Sequence, residues 1–152
     1  MTRQINITQR VEAAGAALIA LVAVVMLYPE WWWVILAAFL AFDLSMLGYA
    51  RSTAAGATTY NAVHNYAFPA LAGLVALATE PVSPGTSTAA GVLACAWAFH
   101  VGVDRALGYG LKLPDSFRNT HLGEIGKNPK RTADEDGGCA GGSDDPRRLP
   151  SK

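Results

Sequence analysis

Four ionisable side chains sit in otherwise apolar stretches: Asp43, His64, His100 and Asp104. Such groups are costly in apolar surroundings, and by default they mark functional sites. Two imidazoles and two carboxylates suit two kinds of chemistry. In one, Asp43 and His64 form a general acid/base pair, with proton affinities that burial would match to neutral pH. In the other, His64, His100 and Asp104, completed by Asp43, ligate zinc or another divalent ion and leave a position for water. His100 and Asp104 share a helix face at i, i+4 spacing. HxxxD on its own has low specificity. The plainer alternatives are a carboxylate that orients an imidazole, or a buried interhelical hydrogen bond of about 0.6–2 kcal/mol.

Tyr60 and Asn61 project with His64 at three- and four-residue spacing. They either orient a substrate or pair with backbone groups. No phosphate-binding loop, dinucleotide fingerprint or nucleophile elbow occurs in the chain. Ser45 lies two residues from Asp43 and points away from it on a helix, which argues against a Ser-His-Asp triad.

The surroundings of these residues define the class of protein. Hydrophobic residues make up 51% of the chain and charged residues 16%, well below the roughly 25% usual in soluble domains. Between Val11 and Val103 the formally charged residues are Glu12, Glu30, Asp43, Arg51 and Glu80. Four segments reach the length of about 20 residues that a bilayer crossing needs: Val11 to Tyr28, Trp31 to Ala50, Ala57 to Ala78 and Ser87 to Leu107. They predict an all-α, four-helix transmembrane bundle, since lipid leaves no partner for exposed backbone groups. The first segment lacks a clear cleavage site and runs into Trp31, Trp32 and Trp33, so it reads as a retained span.

Loop charges orient the bundle. Arg3, Arg10, Arg51, Arg105, Lys112, Arg118 and Lys127 all fall on one side of the alternation, whereas the other loops carry Glu30 and Glu80. The positive side is the cytoplasmic one, which predicts a multi-pass protein of the plasma membrane with both termini in the cytoplasm. The tryptophan run then forms an interfacial belt on the opposite side. At a rise of about 1.5 Å per residue, Asp43, His64 and His100 lie roughly 12, 10 and 8 Å inside the cytoplasmic helix ends, with Asp104 at the boundary. Three helices thus bring ionisable groups to one level, a polar cup beneath an apolar outer half.

The transmembrane domain spans residues 1–126. Residues 127–152 are rich in Gly, Pro and charge and predict a disordered cytoplasmic tail. Leu113, Phe117, Leu122 and Ile125 give the intervening stretch the means to dock on the membrane or on the bundle. Cys95 and Cys139 are expected to be unpaired. Net charge is zero with no basic patch, which excludes nucleic acid as a partner.

The runs DLSMLGY (Asp43 to Tyr49), YNAVHNY (Tyr60 to Tyr66), HVGVDRALGYGLK (His100 to Lys112) and FRNTHLG (Phe117 to Gly123) resemble a bacterial and archaeal family. Its members are small four-span membrane proteins catalogued as a domain of unknown function. The resemblance covers about Arg10 to Gly126. It implies that the polar runs belong together and that His121 closes over the cup from the cytoplasmic side.

The reading that follows is a membrane-embedded enzyme for a lipid-like or other apolar small molecule, using acid/base or metal-assisted chemistry. Asp43, His64, His100 and Asp104 are its candidate catalytic residues, with Tyr60, Asn61 and His121 as substrate-binding residues. Two alternatives come from other classes. One is a small-molecule binding or proton-coupled transport component, assembled as a homo-oligomer because four helices enclose little volume. The other is a structural membrane subunit.

Overall fold

A computed structural model describes residues 2–125. The tail expected to be disordered, residues 127–152 with Cys139, lies outside the described residues. The chain is mainly helical. Helix α1 runs Thr2–Leu27, followed by a 3-10 turn at Pro29–Trp31. Helix α2, Val34–Asp43, passes directly into a 3-10 segment, Leu44–Ala50. Then come α3 (Thr53–Val63), α4 (Ala67–Thr79) and α5 (Pro84–Leu107), and strands β1 (Lys112–Leu113), β2 (Ser116–Thr120) and β3 (Gly123–Glu124).

Local chemistry explains most of these boundaries. Pro29 cannot continue α1, because its ring blocks the helical hydrogen-bond ladder. Ser52 caps α3, its hydroxyl oxygen accepting the Ala55 N–H at 3.1 Å. Helix α5 begins with Pro84 in the first turn and ends at Gly108, whose φ of 100° belongs to the left-handed cap that glycine adopts without strain. Arg10 on α1 donates to the Ala106 carbonyl at 2.7 Å and so covers the unpaired end of α5.

Helix α5 is the central element, with α1, α2 and α4 all packed along it. Val24, Ile35 and Ala96 form a fully buried cluster at the junction of α1, α2 and α5. Lower down, Gly102 lets α5 approach α1 closely: a Cβ there would meet the Ala13 carbonyl oxygen at 2.8 Å and the Ala17 nitrogen at 2.9 Å. The outer surface is apolar. Leu18, Ile19, Met26, Leu36, Leu40 and Leu77 are all more than 60% exposed, a surface suited to lipid rather than water.

Three helical segments are long and apolar enough to cross a membrane: Gln4–Leu27, Thr53–Thr79 and Pro84–Leu107. Val34–Ala50 is a shorter apolar helix, where a full-length span was expected. Its ten α-helical residues rise about 15 Å and its seven 3-10 residues about 14 Å, because the tighter winding lengthens each step.

The segment expected as one continuous third helix is broken after Val63. His64 leaves helical geometry at φ −92°, ψ 46°. Pro69 supplies the cause, since it has no N–H to give to the carbonyl four residues earlier. The Asn65 side-chain oxygen takes the Ala67 N–H at 2.9 Å instead. The break frees the carbonyls of Asn61, Ala62, Val63 and His64. The Asn65 side-chain amide donates to the first two at 2.8 and 2.7 Å, and α5 supplies donors to the others: Trp97 Nε1 to Val63 O at 2.6 Å, and Arg105 Nη2 to His64 O at 3.1 Å. Irregular backbone at membrane depth needs such partners. Trp97 is itself stacked between Phe42 and Phe68. Trp97→Phe keeps the stack and orphans the Val63 carbonyl, so unfolding in detergent should show a loss of about 1–2 kcal/mol. Unchanged stability would mean that the bond contributes nothing.

The remaining surprise is the stretch after α5. Its apolar residues suggested docking, and it folds as a three-stranded antiparallel sheet in the order β1-β2-β3 over the end of α3. Strands of two to five residues have no resolvable alternation, which hides them from sequence periodicity.

Candidate metal centre

The break in the third segment turns His64 inward at the level where α2 ends and α5 passes. There the four side chains meet. His64 Nε2 and His100 Nε2 are 2.9 Å apart. His64 Nε2 lies 3.4 Å from Asp43 Oδ1 and 3.4 Å from Asp104 Oδ2, and His100 Nε2 lies 3.7 Å from Asp43 Oδ1. One ligand atom from each residue falls within a set no wider than 4.8 Å, and this group could hold a metal ion. The common depth expected for these residues is thus a common point.

Both imidazoles are buried, at 1% and 0% exposure, while Asp43 retains 33% and Asp104 14%. His64 is held from two directions. Its ring stacks on Tyr60, with centroids 3.7 Å apart and planes at 11°. Its Nδ1 lies 3.0 Å from the Tyr60 carbonyl oxygen, an obligate acceptor, so Nδ1 carries the proton. The Nε2 of neutral His64 is therefore a bare lone pair. It faces His100 Nε2 and two carboxylate oxygens; a proton on neutral His100 Nε2 satisfies that lone pair, and a metal ion at the centre of the set would do so as well. His100 is wedged edge-on against Phe39, with centroids at 4.7 Å, and its Nδ1 makes no hydrogen bond among the described residues.

Of the flanking residues, Tyr60 belongs to the site. Its hydroxyl donates to Asp104 Oδ2 at 3.1 Å. Asn61 does not. Its amide nitrogen donates to the Lys112 carbonyl at 2.8 Å and its oxygen accepts the Lys112 N–H at 2.7 Å. Both groups of the side chain thereby bond to β1, the backbone pairing that was the alternative to a substrate contact. His121 had been expected to close over the cup. Its hydrogen bonds among the described residues go to none of the four ligands. Instead its Nδ1 accepts the Leu111 N–H at 2.8 Å, and its Nε2 lies 3.3 Å from Arg105 Nη1. Burial, then the Arg105 charge, push the His121 imidazole below its usual pKa. Ser45 stays out of the cluster; its hydroxyl is buried without a partner among the described residues.

Two residues counted only as positive loop charges prove structural. Arg105 braces the broken backbone at His64. Lys112 is 3% exposed, its ammonium donating to the Phe117 carbonyl at 3.1 Å and lying over the Phe117 and Tyr60 rings at 4.2 and 5.1 Å. Burial pushes the Lys112 ammonium below its usual pKa, and the Asp104 carboxylate offsets part of that shift. Nothing in their spacing separates these two from ordinary interfacial charges.

Neither a curated protein nor a solved structure matches the chain. A family profile does, and its match takes in all four converging residues together with the α5–sheet junction. Covering residues 6–125, it shows that the chain belongs to the family described as Domain of unknown function (DUF4260).

Proposed function

We propose that Asp43, His64, His100 and Asp104 bind one divalent transition metal, zinc by preference. On this reading the chain is a four-span membrane protein that uses the ion for chemistry on an apolar or lipid-like molecule. The observation that carries the proposal is the convergence of four ligand atoms from three helices. A tetrahedral ion with ligands about 2.0–2.2 Å away spaces them about 3.3–3.6 Å apart. The two distances of 3.4 Å lie at that spacing, whereas the 3.7 Å and 2.9 Å separations and the full 4.8 Å width of the set require the side chains to adjust around an ion. Two imidazoles with two carboxylates are a zinc-type donor set.

The residues divide the work. Tyr60 holds His64 through Nδ1, which would leave Nε2 free to ligate the ion, the usual arrangement for a metal-binding histidine. The Tyr60 hydroxyl holds the Asp104 oxygen that faces His64. Asp43 is the most exposed of the four, and as the ligand nearest solvent or lipid it is the one to share its position with water and act as a base. The distribution of basic loops supports a cytoplasmic orientation, with the site open on the inner-leaflet side. The α2 segment, with its extended 3-10 end reaching about 29 Å, supports a fourth crossing.

One observation favours a metal-free version of the same site. Metal-bound histidines ordinarily donate their second ring N–H, and His100 Nδ1 has no hydrogen-bond partner among the described residues. In that version a shared proton replaces the ion and the Asp/His cluster works by acid/base chemistry. Elemental analysis of detergent-purified protein after zinc supply separates the two. About one equivalent per chain is expected, and less than about a tenth leaves only the metal-free version. Proton flux in proteoliposomes that vanishes in Asp43→Asn would instead favour the transport reading.

A further inference from the structure

Beside Arg105, α1, α4 and α5 leave a groove in two parts. The first is a cavity of about 340 Å³ lined by Gln9, Glu12, Tyr66, Arg105 and His121 among others. The second, of about 410 Å³, is lined almost wholly by apolar side chains of α1, α4 and α5, including Ile19, Ala20, Pro69 and Cys95. Ala16 and Tyr66 line both, so the two adjoin. Along α1 the groove extends from Gln9 to Ala23, about 21 Å of helix. Ile19 is 72% exposed, which places the apolar part open to the lipid-facing surface.

The polar end is built for a particular charge pattern. His121 meets two obligate donors, the Leu111 N–H at Nδ1 and the Arg105 guanidinium at Nε2. A neutral imidazole has a single lone pair, and the shorter backbone contact of 2.8 Å takes it. Nε2 therefore carries a proton and stands as a second donor 3.3 Å from Arg105 Nη1. Two donors set side by side at a cavity wall are satisfied by an anionic oxygen between them. Glu12 lines the same cavity and makes no ion pair with Arg105, so a carboxylate faces the space as well. Separated opposite charges above an apolar channel match one kind of molecule in a membrane.

We propose that this groove binds a single membrane phospholipid whose headgroup carries both a phosphate and a primary ammonium. The phosphate lies on Arg105 and His121, the ammonium on Glu12, and one acyl chain runs past Ala16 and Ala20. None of the four candidate metal ligands lines either cavity, so the site goes beyond the metal reading and does not depend on it.

Native mass spectrometry of the detergent-purified full chain tests this with phosphatidylethanolamine, phosphatidylglycerol and free phosphoethanolamine as probes. The expected result is one phosphatidylethanolamine per chain, bound about tenfold more tightly than phosphatidylglycerol, as one charge-assisted contact implies. Glu12→Gln, a near-isosteric change at an exposed position, should erase that preference. Ala16→Phe, which fills the junction of the two cavities, should reduce binding of both lipids about tenfold or more. Equal affinity for the two lipids in the unmutated chain would overturn the proposal. So would a preference that survives Glu12→Gln, or free phosphoethanolamine binding as tightly as the intact lipid.

Discussion

Replacing His100 with alanine is expected to lower zinc affinity by more than about 100-fold, because loss of a direct ligand exceeds the 10–100-fold cost of losing an outer partner. His100 Nε2 lies 2.9 Å from His64 Nε2 and 3.7 Å from Asp43 Oδ1 and is one of two imidazole nitrogens among the four. Without it the remaining set is one imidazole and two carboxylates, which binds zinc weakly when one carboxylate is as open to its surroundings as Asp43. The alanine also removes a ring packed on Phe39 and Phe42, so part of any effect would be structural. His100→Phe separates the two causes. It keeps an aromatic ring in that slot, and should lose the metal while retaining most of the stability. Protons compete for the same nitrogen atoms, so zinc should leave the unmutated chain as the pH falls and return as it rises. Metal content that is identical in the unmutated chain and in His100→Phe would end the metal reading.

The largest stability loss is expected at Gly102, a position without chemistry of its own. Gly102→Leu places a side chain where the α1 backbone already lies, against the Ala13 oxygen and the Ala17 nitrogen. Backbone atoms of a packed helix cannot turn aside as a flexible side chain can, so α1 and α5 must separate. The cost should be about 3 kcal/mol or more, at the upper end of what overpacking brings. Against a total of roughly 5–15 kcal/mol, that shifts the unfolding midpoint strongly. Gly15 is the control. A Cβ there meets nothing within 4 Å, and Gly15→Ala should stabilise α1 by up to about 1 kcal/mol through helix propensity alone. Equilibrium unfolding of both variants in mixed detergent gives the comparison. A Gly102→Leu chain as stable as Gly15→Ala would show that the close approach of α1 and α5 is dispensable.

The residues of the cluster were legible in the sequence because burial of charge is so costly in an apolar chain that each instance stands out. Counting depth from the helix ends placed Asp43, His64 and His100 at one level, and they do converge. That count assumed continuous helices, and it succeeded although α3 breaks at His64, since the break lies at the very residue being placed. That Asn61 pairs with backbone was one of two readings the sequence left open, but its partner, like that of His121, was not legible. Both depend on the backbone of Leu111 and Lys112, whose course after Gly108 is set by short strands rather than by any periodic pattern. The roles of Arg105 and Lys112 were hidden for a different reason. A basic residue near a helix end is so common in membrane proteins that its presence says nothing about what it touches.

The broken third segment also bears on the order in which the molecule is made. Synthesis delivers the chain from its N-terminus, so α3 and α4 emerge while α5 is still unmade. During that interval the carbonyls of Val63 and His64 lack Trp97 and Arg105, and water must serve them in their place. The arrival of α5 then does several things in one event. It clamps both carbonyls, drives that water out, and carries His100 and Asp104 up to His64 and Asp43. The last long helix to be translated therefore acts as the keystone, and a nascent chain halted before Pro84 would hold half a ligand set around a wet, unclosed kink.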